Sequence, residues 1–285
     1  MTDRYIEVMG ARLRYRSEGR GPNALLVHGL GASLETWNWT IPALRDSYTT
    51  VALDFPGFGQ SEALDSALTP EGAARLVLAF MDALDLRTTA IIGSSLGGGI
   101  ATLAAGTAPE RFTAVVLADP GGFDAGLSPL LRLQTLRGVG EVVISLAKFA
   151  PRLALALTFH NPRRIPDELV NVTRENAKRA VTGRTYLRAL RAAATLDGVR
   201  LEQIYSVRRA AARITAPTLV VWGDRDRVIP LDQGRIAAQT IPGARLLVIR
   251  GVGHLPLVED AEAFNGAVSA FLSQALHPAS TAVGR

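Results

Sequence analysis

The sequence predicts an α/β protein: a mostly parallel, doubly wound sheet of about eight strands, with a helical cap inserted between two of them. Three observations carry the prediction. Short apolar runs end at glycine, proline or a polar residue. Helical patterns separate those runs. From about residue 121 to residue 213 the alternation stops and only helical patterns remain. A succession of strand, crossover and strand makes neighbours parallel. Strands buried on both faces read as continuous apolar runs rather than alternating ones.

Taken in order, residues 4–8 and 11–15 form a hairpin turned at Met9-Gly10, and residues 24–28 (ALLVH) and 50–54 (TVALD) are the first buried strands. Thr69-Pro70 supplies an N-cap and a proline at N1 for a helix over 71–84. A strand at 90–93 (AIIG), a helix at 96–108 and a strand at 114–119 (AVVLAD) follow. After the helical block come a strand at 218–222 (TLVVW), a helix at 232–240, a strand at 246–249 (LLVI) and a last helix at 261–276. The expected organisation is a core of residues 1–122 and 214–276, a helical cap of residues 123–213, and a flexible tail at 277–285.

Composition narrows the function classes. The chain has 285 residues, 48% hydrophobic and 20% charged, which suits a globular enzyme and excludes a disordered chain. It has no cysteine, so disulfides, thiolate metal sites and cysteine nucleophiles are excluded. The start, Met1-Thr2-Asp3-Arg4-Tyr5, lacks the basic-then-apolar layout of a signal peptide and points to the cytoplasm. The most apolar stretch, 139–159, is interrupted by Glu141, Lys148, Pro151 and Arg152. It falls short of the ~18–20 uninterrupted apolar residues of a spanning helix, reads as a lid or core helix, and predicts no stable membrane insertion. The net charge of +5 is uneven: residues 123–213 hold 16 Lys and Arg against 7 Asp and Glu, a net +9, and the remainder is −4. The cap arginines are scattered at helical spacing with no aromatic interleaving, which speaks against nucleic acid. They read as solvated helix faces, with attraction of anionic substrates or surfaces as the alternative.

In an open α/β sheet, ligands bind at the carboxyl ends of the strands. The polar residues just past those ends are His28, Asp54, Ser94 and Ser95, Asp119, Asp224 and Asp226, and His254. A hydroxyl, carboxylates and imidazoles are what nucleophilic acyl transfer requires. Gly93-Ser94-Ser95-Leu96-Gly97 is a G-x-S-x-G placed between a strand and a helix, the context that gives the motif meaning. Ser95, unlike Ser94, has glycine at both −2 and +2, which lets neighbouring backbone pass a sharply turned nucleophile. His254, on the Gly251-Val252-Gly253 loop after the last strand, is the candidate base; His28, His160 and His277 are tied to other segments. The orienting acid lies between them in chain order. Asp224 and Asp226 follow one strand and Asp119 ends an earlier one; Asp224 reads as a turn residue binding its own backbone.

These motifs in this order resemble the α/β-hydrolase superfamily over nearly the whole chain, in particular its capped serine-hydrolase branch. The resemblance rests on His28-Gly29-Leu30-Gly31, on Asp54-Phe55-Pro56-Gly57-Phe58-Gly59-Gln60-Ser61, on the elbow around Ser95, and on Gly223-x-x-Asp226 with Gly253-His254. It implies catalytic Ser95, His254 and Asp226, with Asp119 as the second candidate for the acid, and an oxyanion hole made by the backbone N–H groups of Leu30 and Leu96. It implies no metal and no cofactor. A serine at position 95 sets the chain apart from the dehalogenases and epoxide hydrolases of that branch, which use an aspartate nucleophile.

The expected activity is hydrolysis, through an acyl-enzyme, of small-molecule carboxylic esters with small to medium, largely apolar acyl groups. Leu127, Leu130, Leu131, Leu133, Leu136 and the 139–159 stretch would form an apolar acyl pocket. Two alternatives stand beside it. One is C–C hydrolysis of the meta-cleavage type, against which Leu255 stands where those enzymes usually carry tryptophan. The other is a ligand-binding relative with slow or no turnover. The oligomeric state stays open.

Overall fold

The computed structural model describes residues 2–64 and 69–276; the expected tail at 277–285 lies outside the described residues. The chain opens with β1 (Arg4–Val8) and β2 (Ala11–Gly19), paired antiparallel through Met9 and Gly10. Both turn residues have positive φ (50° and 80°), the backbone that matches a two-residue turn to the twist of its strands. Next come β3 (Asn23–Val27), the one-turn helix α1 (Ile41–Leu44), β4 (Thr49–Leu53), α2 (Pro70–Ala83), β5 (Thr89–Ser94), α3 (Leu96–Thr107) and β6 (Phe112–Ala118). The Thr69 hydroxyl accepts from the Gly72 N–H at 3.1 Å, the cap that the Thr-Pro pair predicts.

The inserted block contains α4 (Pro129–Gln134), α5 (Val139–Ala147), α6 (Pro151–Ala156), α7 (Asp167–Lys178) and α8 (Ala180–Ala193). Here the structure corrects the all-helical expectation: β7 (Ala194–Thr195) and β8 (Gly198–Val199) form a small antiparallel hairpin. These strands are too short to leave a periodic signal in the sequence. Then follow α9 (Leu201–Ala211), β9 (Thr218–Gly223), α10 (Asp232–Thr240), β10 (Arg245–Ile249), α11 (Pro256–Glu259) and α12 (Ala261–Leu276). The α9 helix lies along α3, so close that a side chain on Gly106 would overlap the Ala210 carbonyl.

Among the described residues the main sheet has eight strands, in the order β1-β2-β4-β3-β5-β6-β9-β10. It is parallel from β4 to β10, with an antiparallel edge at β1 and β2. Alternate residues of each strand enter two separate cores. Leu25, Val27, Ile91, Val115 and Val220 face α2, α3 and α9; Leu26, Ile92, Val116 and Val221 face α1 and α12. The sheet is therefore covered on both faces, as doubly wound sheets require.

A buried ionic cluster fixes the loops beyond β3 and β4. The Arg14 side chain, 1% exposed, places Nε 2.6 Å from Asp54 Oδ2 and Nη1 2.8 Å from Glu35 Oε1. The two Asp54 oxygens also accept from the backbone N–H groups of Leu34 (2.7 Å) and Gln60 (2.8 Å). Burial alone would push the Glu35 carboxyl up, but the Ser33 hydroxyl and the Arg14 and Arg16 guanidiniums hold it below the usual carboxylate range. The Asp54–Ser61 segment is thus a tied turn beside the site. Neutralising Asp54 is costly: the buried guanidinium keeps Glu35 and Asp3 at Nη1 but loses its most deeply buried carboxylate, at Nε. Asp54→Asn should lower stability by about 3 kcal/mol, measured by urea denaturation, with the midpoint reduced and the slope unchanged.

Candidate active site

Ser95 stands at the junction of β5 and α3 with φ 57° and ψ −122°, a conformation costing on the order of 1–3 kcal/mol outside glycine. The surrounding hydrogen bonds impose it. Its N–H donates to Ala118 O (2.8 Å), and its carbonyl accepts from Gly98 (2.9 Å), Gly99 (3.1 Å) and Gly121 (3.1 Å). Both flanking glycines are required by space. A side chain on Gly93 would overlap the Gly97 carbonyl, and one on Gly97 would overlap the carbonyl oxygens of Val27 and His28. The sharp turn lifts the Ser95 hydroxyl away from the sheet, whereas the Ser94 side chain stays buried.

The structure brings three of the sequence-derived candidates into one chain of hydrogen bonds. Ser95 Oγ lies 2.8 Å from His254 Nε2, and His254 Nδ1 lies 2.7 Å from Asp226 Oδ2. The carboxylate fixes the tautomer: Nδ1–H donates to Asp226, leaving Nε2 to accept the Ser95 proton. The second Asp226 oxygen accepts from the N–H groups of Val228 (2.7 Å) and Ile229 (3.0 Å), so the carboxylate cannot rotate freely. Asp224 differs from expectation. It accepts from the Gly251 N–H at 2.6 Å, joining the turns after β9 and β10 instead of binding its own backbone.

Asp119 lies beside Asp226 without touching the imidazole. Fully buried, with φ 46°, it accepts from the Gly223 N–H at 3.0 Å through one oxygen. Burial first, and the neighbouring Asp226 charge second, push its carboxyl well above the usual range. A protonated Asp119 leaves Asp226 to carry the charge. Asp119, Asp226 and His254 also place three possible metal-ligand atoms within 4.8 Å of one another. Those of Asp226 and His254 are committed to each other by their 2.7 Å hydrogen bond.

His28 is neutral and structural. Burial lowers its pKa, Nε2 accepts from the Phe55 N–H (3.1 Å), and Nδ1 donates to Gly29 O (2.8 Å). It thereby anchors the loop on which Leu30 stands. The backbone of Gly29 presses on Ser95: a Cβ there would sit 3.1 Å from Ser95 Cβ. Leu96 opens α3, and the N–H of a helix's first residue has no intrahelical acceptor. Leu30 and Leu96 both line the cavity above Ser95.

One residue had no advance signal in the sequence. Glu259 of α11 is buried, and its carboxylate accepts from three backbone N–H groups: Gly253 (2.7 Å), Asn161 (2.7 Å) and His160 (2.9 Å). The His254 N–H donates to Thr158 O at 2.7 Å. The loop carrying the imidazole is therefore stitched to cap residues 158–161. A glutamate near a histidine is common in sequences, and only the folded chain shows three donors converging on this one.

A cavity of about 360 Å³ opens over Ser95 and His254, walled by apolar side chains of the cap. Leu127, Leu130 and Leu131 line it as expected, but Leu133 and Leu136 point to solvent. Tyr186, pushed up by burial, hangs over Gly31 and donates to Gln134 Oε1 at 3.0 Å.

Comparison with known proteins places this geometry. Residues 23–261 match the family model of the alpha/beta hydrolase fold. The chain is 31% identical over 268 residues to the "dihydrolipoyllysine-residue acetyltransferase component of acetoin cleaving system" of Cupriavidus necator; the match covers 92% of this chain and 66% of that one, so this chain spans just under two thirds of that relative. It is 27% identical to the 2-hydroxy-6-oxo-6-(2'-aminophenyl)hexa-2,4-dienoic acid hydrolase of Metapseudomonas resinovorans, covering 95% of this chain and 91% of that one. Among solved structures, a bacterial membrane phospholipase A superposes with a TM-score of 0.79 at 26% identity, covering 96% of this chain and 86% of that one. No helix among the described residues is long and apolar enough to cross a membrane.

Two measurements check the roles of the buried acids. Glu259→Ala leaves three N–H donors unpaired, each worth about 1–3 kcal/mol, and should lower stability by at least about 3 kcal/mol in urea denaturation. For Asp119 the sign follows from its raised pKa: the native state keeps a proton that the unfolded chain releases above pH ~4. Wild-type stability should therefore fall as pH rises from about 4 toward the folded-state pKa, with a limiting slope of about 1.4 kcal/mol per pH unit. In Asp119→Asn that slope should vanish from the pH series of denaturation curves.

Proposed function

This chain belongs to the α/β-hydrolase family, and from that premise we propose that it is a serine esterase acting on carboxylic esters with apolar acyl groups, with Ser95 as nucleophile, His254 as base and Asp226 as orienting acid. The observation that carries the proposal is the cavity. It holds the Ser95 hydroxyl and the His254 imidazole among leucine, valine, isoleucine and alanine side chains with some neutral polar ones such as Gln134, Asn176 and Tyr186, and no Lys, Arg, Asp or Glu lines it among the described residues. An uncharged ester with an apolar acyl chain loses little on entering such a space, whereas an unpaired carboxylate would be strongly disfavoured.

The chemistry follows from the hydrogen-bond chain. Ser95 Oγ attacks the ester carbonyl carbon while His254 Nε2 takes its proton, and Asp226 stabilises the imidazolium. The tetrahedral oxyanion is met by the N–H groups of Leu30 and Leu96, donors already oriented before charge develops. Collapse breaks the C–O bond, and His254 returns the proton to the leaving alkoxide. Water then attacks the acyl-enzyme with His254 as base, releasing the carboxylic acid and restoring Ser95.

The same groups could cut a carbon–carbon bond, the meta-cleavage alternative, and the M. resinovorans relative is a hydrolase of 2-hydroxy-6-oxo-6-(2'-aminophenyl)hexa-2,4-dienoic acid. That substrate is a carboxylic acid, and the uncharged cavity supplies no cation for it. Leu255 also lines the cavity where a tryptophan would stand in the meta-cleavage pattern. These two observations favour the ester.

A panel of p-nitrophenyl esters of increasing acyl length, with one vinylogous 1,5-diketone, tests the assignment. The esters should be turned over and the diketone spared. Ser95→Ala should lower kcat by at least about 10³-fold and Asp226→Asn by roughly 10²–10⁴-fold, with Asp119→Asn retaining activity within a few fold. Preference for the diketone would replace the ester reading with carbon–carbon cleavage. A wild type that neither turns over any ester nor is labelled by an organophosphonate would make it a binding protein.

A further inference from the structure

The outer face of the cap is apolar where a solvated helix should be polar. Val142 and Leu146 stand one turn apart on the exposed side of α5, followed by Phe149 at 77% exposure, Leu153 at 71% and Leu157 at 44%. Elsewhere on the described surface such side chains are single or, as Leu201 and Tyr205 on α9, paired, while Leu133, Leu136 and Val139 just precede this run in the chain; a run of five across adjoining helices is out of the ordinary. The opposite sides of the same two helices wall the active-site cavity through Val143, Ile144, Ala147 and Leu155. Leu157 belongs to both surfaces, being partly exposed and lining the cavity. The apolar patch is thus continuous with the space above Ser95.

Charge decides what covers the patch. Residues 125–166 carry six Lys and Arg and a single acid, Glu141, a net +5 that equals the net charge of the whole chain. Glu141 is held by Arg191 at 2.9 Å, and Arg152 is taken by Asp167. Arg137, Lys148 and Arg163 have no carboxylate partner among the described residues, and the Lys148 ammonium lies over the Phe149 ring at 4.9 Å from its centre. A two-fold dimer through this patch would set cation against cation, because such an interface places the same surface on both sides. Apolar side chains flanked by cations, with an aromatic ring at the boundary, match a lipid surface bearing anionic headgroups.

We propose that the α5–α6 face of the cap docks on an anionic lipid surface, and that the esters entering the cavity are acyl esters held in that surface. The choice of substrate rests on the esterase reading; the docking does not. Docking is peripheral, the side chains reaching only the boundary between headgroups and acyl chains. The Val143, Ile144 and Ala147 side of α5 stays on the cavity.

Vesicle flotation with the Ser95→Ala variant tests docking apart from turnover. Ser95→Ala protein should float with phosphatidylcholine vesicles containing phosphatidylglycerol, far less with pure phosphatidylcholine, and progressively less as salt rises. Adding Leu146→Ser, Phe149→Ser and Leu153→Ser together should weaken binding at least about tenfold. With Ser95 intact, the same triple change should leave hydrolysis of a water-soluble short-chain ester unchanged while slowing hydrolysis of an ester carried in the vesicles. No binding to the anionic vesicles at low salt, binding indifferent to salt, or binding unaffected by the triple change would each overturn the proposal. A concentration-dependent dimer dispersed by the triple change, without vesicle binding, would assign the patch to a second copy instead. Vesicle binding by a protein that hydrolyses no ester would leave docking standing and remove the esterase reading alone.

Discussion

A side chain at position 97 would occupy the space already filled by the carbonyl oxygens of Val27 and His28, and one at position 93 would collide with the Gly97 carbonyl. That close packing of α3 against β5 and the end of β3 governs the site. It forces Ser95 into a backbone conformation that a serine resists, and four backbone hydrogen bonds hold it there. The strain has a use. A relaxed serine would lie along the strand or the helix, whereas this one stands clear of both with the first turn of α3 beneath it. The Leu30 loop is placed by the same contact, since Gly29 touches Ser95 from the other side.

The polar side of the site is arranged so that two neighbouring buried acids need not both carry charge. Asp226 is the better solvated by the protein, with two N–H donors on one oxygen and the imidazole on the other. Asp119 has one N–H donor and deep burial, so the proton settles there. Burial first, and the neighbouring Asp226 charge second, push the Asp119 carboxyl up. Asp226, the acid that faces His254, has hydrogen-bond donors on both of its oxygens.

The cap is tied to this apparatus through Glu259 and the His254 backbone, while its far face, apolar and basic, looks to solvent. Cap residues 158–161 are hydrogen-bonded to the imidazole loop, whereas α5, α6 and the residues beside them carry the exposed apolar run. One inserted block therefore lines the cavity, holds the His254 loop by hydrogen bonds and presents an outer surface. Its uneven charge bears on the last of these, since the buried wall of the cavity is uncharged.

Much of this was legible in the sequence because the signals are local. Buried strands announce themselves as apolar runs, Thr69-Pro70 marks a helix start, and G-x-S-x-G in a strand–turn–helix context singles out position 95 from its neighbour 94. Chain order then orders the remaining candidates. Other features depend on segments far apart in the chain meeting in space. The hairpin of β7 and β8 is an exception, local but with too few residues in each strand to carry a period. Residues 224 and 251 meet at a shared turn, and residue 259 collects donors from positions 160, 161 and 253. Whether Asp119 or Asp226 faces the imidazole is a matter of a few ångströms between two strand ends. Whether Leu131 lines a cavity while Leu133 faces water depends on how a short helix is rotated. Composition and spacing determine which residues are available for chemistry, but direction and burial belong to the packed chain, and these decide which of them meet.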